Sequence, residues 1–133
     1  MREILFRGKR VATATFVYGC YLLFYNRNHS IVNDIGNFWV IPETVGQFTG
    51  LTDKNGKKIF EGDIVKHFNR SDDPSAFVIG KIFWNDKKCR WSRTTDKPGF
   101  VPEVWKSSAE HYEVIGNIHD NPELLEGGVE ECG

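Results

Sequence analysis

The chain has 133 residues, enough for one domain or for two small subdomains sharing a core. Hydrophobic residues make up 40% and charged residues 26%, which excludes a disordered polyelectrolyte. The net charge of −1 gives no reason to expect a polyanionic partner for the chain as a whole.

The two halves differ in charge. Residues 1–66 hold nine Lys+Arg against six Asp+Glu, or +3; residues 67–133 hold eight against twelve, or −4. Much of that acid follows Asp120 and reads as a solvated terminus. Cys20, Cys89 and Cys132 are odd in number, far apart and without a CxxC, so neither a disulfide framework nor a zinc knuckle is expected. The thiols look like those of a reduced cytoplasmic protein. No apolar signal core follows Met1, and the most apolar run, Phe16 to Tyr25, is shorter than the roughly 20 residues a bilayer span takes.

In chain order, Met1 to Arg7 reads as a short strand and Gly8-Lys9-Arg10 as a turn. Phe16 to Tyr25 is β-branched and aromatic, one or two strands bent near Gly19. Asn26 to Asn28 is a polar turn, Ser30 to Val32 a short strand and Asn33 to Asn37 a loop. Phe38-Trp39-Val40-Ile41 is an apolar run ended by Pro42, which opens one helical turn. From Val45 to Lys66, short apolar runs are separated by reversals at Gly50, Gly56 and Gly62, which specifies a β-meander.

Residues 69–75 form a loop. Ala76 to Trp84 and Cys89 to Thr94 pair as a hairpin around Asn85-Asp86-Lys87-Lys88. Asp96 to Gly99 is a turn, and Phe100 to Trp105, broken by Pro102, suits an edge. Ser107 to Glu110 is a helical turn and Tyr112 to Ile118 a last strand. Asn121-Pro122-Glu123 has the form of a helix start, with Asn121 as cap.

No constellation specifies a reaction. Glu61 and Asp63 flank a glycine reversal, where an Asp commonly bonds backbone, so they read as a structural turn rather than an acid/base pair. His29, His67, His111 and His119 lack metal-ligand spacing. There is no G-x-S-x-G elbow and no P-loop. No enzyme activity, metal or cofactor is expected.

The segment 81–97 carries Lys81, Lys87, Lys88, Arg90, Arg93 and Lys97 against Asp86 and Asp96, a local +4, interleaved with Phe83, Trp84 and Trp91. Cations for phosphates and aromatics for bases are what a nucleic-acid surface needs. Lys81, Trp84, Lys87, Lys88, Arg90, Trp91 and Arg93 are therefore candidate contacts to single- or double-stranded nucleic acid. The competing reading is a solvated hairpin with its Trp side chains turned inward. Self-association is the third expectation, through sheet edges or through Phe38 to Ile41 and Phe100 to Trp105.

Four blocks, in order, resemble the YopX family of small phage- and prophage-encoded proteins. They are Arg2-Glu3-Ile4-Leu5-Phe6-Arg7-Gly8-Lys9; Pro42 to Leu51; Asp53-Lys54-Asn55-Gly56 with Ile59 to Val65; and Val114 to Ile118 with Asn121 to Leu125. The likeness covers nearly the whole chain. It implies a mainly β fold, with an SH3-like small barrel holding the Glu61-Gly62-Asp63 turn and a short C-terminal helical turn. It also implies one family domain over 1–133, with subdomains 1–44 and 45–133, and self-association. Arg7, Gly46, Gly50, Asp53, Gly56, Glu61, Gly62, Asp63, Gly116, Asn117 and Pro122 are its structural motif residues, and no catalytic residue carries over. The combined expectation is a non-enzymatic, self-assembling or macromolecule-binding module, with a host or phage protein or a nucleic acid as partner and no membrane.

Overall fold

The computed structural model describes residues 3–25, 27–68, 77–95 and 101–125, and these form a mainly β protein of antiparallel strands with only short helices. The strands are β1 (Phe6–Lys9), β2 (Phe16–Leu23), β3 (His29–Val32), β4 (Asn37–Trp39), β5 (Gly46–Thr52), β6 (Lys58–Phe60), β7 (Asp63–Phe68), β8 (Phe77–Asn85), β9 (Arg90–Arg93) and β10 (Tyr112–Asn117). A 3₁₀ turn covers Pro42–Thr44, and α1 covers Lys106–Ala109. Among the described residues no helix is long and apolar enough to cross a membrane. The chain divides into two compact units, Met1–Gly50 and Leu51–Gly133.

In the first unit the strand order is β4-β3-β2-β1-β5. The long β2 pairs with β1 through residues 16–19 and with β3 through residues 20–23. Gly19 stands at that change of partner because a Cβ there would lie 2.2 Å from the Val32 carbonyl oxygen. The sheet rolls until its ends meet: Arg10 bridges Val40, Val11 N–H donates to the Trp39 carbonyl (2.9 Å), and Ile41 N–H donates to the Lys9 carbonyl (2.9 Å). Ile31 and Val40 fill the inside of the roll, with Val40 pressed against Gly8.

In the second unit the order is β10-β7-β8-β9, with β6 beside the end of β5. Its core is Ile59, Val65, Ile82, Val104, Ala109 and Tyr112, flanked by Leu51, Trp91 and Val114. Asp53 organises the loop before β6. Its Oδ1 accepts the N–H groups of Asn55 and Lys57, and its Oδ2 accepts that of Val114, each at 2.9 Å. Asp63, also buried, accepts the Phe60 N–H at 2.7 Å.

Three local expectations are corrected. Gly8-Lys9-Arg10 is not a turn: β1 runs through Gly8 and Lys9, and the reversal falls at Val11–Ala14, where Ala14 takes φ +58°. What glycine provides at position 8 is close approach: a Cβ there would stand 3.1 Å from the Val40 side chain. Gly50 does not reverse the chain; β5 continues through it at φ +89°. Asn121 turns its carboxamide oxygen toward β10, where it accepts the Asn117 N–H (3.3 Å), and a helical turn occupies residues 123–125. Gly56 and Gly62, at φ +80° and +90°, stand in reversals as expected. The loop 69–75 and the turn Asp96–Gly99 lie outside the described residues.

Candidate binding surfaces

The β8–β9 hairpin forms where the sequence places it. Asn85 Oδ1 accepts the Lys88 N–H (3.2 Å), and Cys89 takes φ +52° to close the turn. Trp84 and Trp91 are cross-strand partners with ring centroids 5.1 Å apart, edge to face. Trp91 leans on the core, whereas Trp84 is 41% exposed.

The described cations of this segment do not share one surface, and Lys97 lies outside the described residues. Lys87 and Lys88 are exposed at the tip. Arg90 lies on the face opposite Trp91 and pairs with Glu103 at 3.7 Å. Lys81 is half-buried on the face opposite Trp84. Arg93 is only 4% exposed and points inward.

Arg93 belongs to a buried polar cluster that the spacing of residues does not reveal. Its Nε donates to Tyr112 Oη (3.3 Å), one terminal nitrogen donates to the Thr94 carbonyl (3.3 Å), and the other meets His67 Nδ1 (3.2 Å). His67 also packs edge-on against Tyr112 at 5.0 Å. Burial lowers the His67 pKa, and the charges of Arg93 and His111 lower it further, so Nδ1 is free to accept from the guanidinium. The cluster has the character of structural support: a cation held by neutral acceptors under β7, β9 and β10.

The family-motif residues sit at backbone junctions. Arg7 is buried with its guanidinium 4.5 Å from the Phe16 ring, and Gly46 is its partner across β1–β5. Gly62 N–H donates to Ile82 and its carbonyl accepts from Ile118; Glu61 beside it is half-buried. Gly116 packs on Asn121, Asn117 Oδ1 accepts the N–H groups of His119 and Asp120, and the Pro122 carbonyl accepts from Leu125. The contacts of Gly62, Gly116, Asn117 and Pro122 shape turns, and those of Arg7 and Gly46 lie within paired strands.

Two sheet faces stand out. In the first unit Tyr18, Cys20, Leu22 and Trp39 share a face by alternation and by the Leu22–Ser30–Trp39 register. Tyr18, Leu22 and Trp39 are 44%, 46% and 47% exposed. Ser30 and Asn37 hydrogen-bond on that same face, and Phe24 packs edge-on against Trp39 at 5.4 Å. In the second unit Lys66, Phe68, Phe77, Ile79 and Lys81 share the face turned away from Tyr112 and Ile82. Among the described residues no group of three or more His, Cys, Asp or Glu could hold a metal ion.

Fold and surfaces together define a small, all-antiparallel β protein of two units. The YopX family, described as YopX protein, matches residues 15–126, and the chain belongs to that family. A search of curated proteins gives no match. Among solved structures, the crystal structure of protein EF1440 from Enterococcus faecalis is similar, with 25% identity and a TM-score of 0.61 over 94% of this chain and 99% of that one.

Proposed function

We propose that this YopX-family chain is a non-catalytic module that acts by associating with a second copy of itself, in the cytoplasm of a bacterium carrying the phage or prophage that encodes it. The observation that carries this reading is the face formed by Tyr18, Cys20, Leu22 and Trp39. Three large apolar side chains nearly half exposed on one sheet face mark an interaction surface better than the same residues scattered singly. No carboxylate stands in this set, so two copies can meet on it in a symmetric contact without burying unpaired acid.

The covered sheet edges support a face rather than an edge as the point of contact. The outer side of β9 bonds its own chain through Pro102 and Val104 (3.1 and 3.0 Å). The outer side of β10 is met by Asp53 and Lys54 (2.9 and 3.0 Å). In the first unit β4 runs on into bonds with the end of β1. Covered edges leave few strand groups to template another chain.

Light scattering across a protein concentration series tests the reading. It predicts a mass that rises to at least a dimer and that changes little with salt, because apolar burial is not screened. A monomer at all concentrations, or association that dissolves with salt, contradicts it.

A further inference from the structure

We propose that the outer face of the β10-β7-β8-β9 sheet binds single-stranded nucleic acid, with Lys54, Lys66 and Lys81 on phosphates and Phe77 under a base. This surface is separate from the apolar face of the first unit, and the proposal goes beyond self-association. It also differs from the nucleic-acid surface read from the sequence, sharing only Lys81 with it.

The placement follows from register. Lys66 faces Ile79 and Phe68 faces Phe77 across β7–β8, and Lys81 follows Ile79 by two residues, so all five share one face. Lys66 and Lys81 are on adjacent strands, two positions apart, or about 8 Å by strand geometry. Lys54 joins them from the loop before β6, its Nζ 4.2 Å from the Phe68 ring centroid. Lys66 Nζ lies 4.5 Å from the Phe77 centroid, and the two rings are 6.2 Å apart.

The chemistry points to a polyanion that also has flat rings. Among the described residues none of Lys54, Lys66 and Lys81 has a carboxylate within ion-pair distance; Glu113, the cross-strand neighbour of Lys66, is the nearest acid in register. Phe77 is 38% exposed, and a ring face that admits an ammonium is open on that side. When the ammonium turns to a phosphate, a base can stack in its place. Aromatic rings on a sheet, rimmed by cations, are the arrangement by which single strands are held without reading their sequence. At the hairpin Trp84, Lys87 and Lys88 are exposed, but Trp91 and Arg93 are turned inward and Arg90 is engaged by Glu103, so fewer of its aromatics and cations are open to a strand.

The test is fluorescence anisotropy of a labelled oligo-dT about 20 nucleotides long, titrated at about 50 and about 200 mM salt, with circular dichroism melts to verify folding of each variant. Three phosphate contacts predict a slope of log affinity on log salt of about −2. Lys66→Gln with Lys81→Gln weakens binding at least tenfold and flattens that slope. Phe77→Leu weakens it about tenfold through lost stacking. Lys87→Gln with Lys88→Gln leaves it unchanged. No binding at the lower salt overturns the proposal, as does binding lost in the tip variant but kept in the sheet variant. A polyglutamate peptide that binds as tightly and ignores Phe77→Leu assigns the face to an acidic protein instead. Scattering of the same variants stays as in the wild type, so a failure here is separable from a failure of self-association.

Discussion

Asp53 Oδ2 accepts the N–H of Val114 at 2.9 Å, across 61 residues of sequence. The same carboxylate holds two N–H groups of its own loop, so one side chain both shapes the entry to β6 and ties it to β10. The Lys54 N–H reinforces the tie through the Tyr112 carbonyl (3.0 Å).

Removing that acceptor strands three backbone donors. Asp53→Ala is expected to destabilise the second unit by about 3 kcal/mol or more, since each unsatisfied buried donor costs roughly 1–3 kcal/mol. Asp53→Asn keeps one oxygen and loses mainly the Val114 or the loop contact, so it costs less. Denaturant unfolding of the two variants checks the order; equal or negligible losses count against Asp53 as the tie.

Gly116→Ala tests the packing of β10 against the turn that follows it. A Cβ on Gly116 meets Asn121 Oδ1 at 2.6 Å and Cγ at 2.9 Å. The expected cost is about 1–3 kcal/mol, as for other forced overpacking. Adding Asn121→Gly relieves the clash and recovers part of the loss in thermal melts, although it also removes the acceptor for Asn117 N–H.

Stability is expected to fall with acid through His67. Its folded pKa lies below the ordinary 6.5 because of burial first, then Arg93 and His111. The unfolded chain therefore takes up a proton before the native one does. The contribution is fully present above the unfolded pKa and is lost as pH falls below about 6.5 toward the folded value. Protonation also puts a second cation against Arg93 Nη, 3.2 Å away, in place of an acceptor. Thermal melts at mildly acid and neutral pH should show the drop in the wild type and a smaller one in His67→Gln.

Much of the second unit was legible because turn chemistry is local. Asp53-Lys54-Asn55-Gly56 announces its turn by an Asp that bonds nearby backbone and a glycine at positive φ. Asn85 to Lys88 likewise marks its hairpin. The first unit was less legible because its glycines serve close approach rather than reversal. Gly8 meets Val40 and Gly19 meets Val32, and neither neighbour is near in sequence.

The basic and aromatic segment 81–97 was visible as composition, but alternation then split it. Arg93 entered the cluster with His67 and Tyr112, which draws on three strands and has no spacing signature. The alternation Phe77-x-Ile79-x-Lys81, with Lys66-x-Phe68 before it, was the available sign of the outer face. Reading it as one surface required the pairing of β7 with β8.

The most direct measurement on the proposed function is the solution mass, by light scattering, of the wild type beside Leu22→Glu and Trp39→Glu at matched concentration. The face of Tyr18, Leu22 and Trp39 predicts that both variants are monomers with melting temperatures close to the wild type, which itself is at least a dimer. Variants that keep the wild-type mass while folded contradict an association through this face.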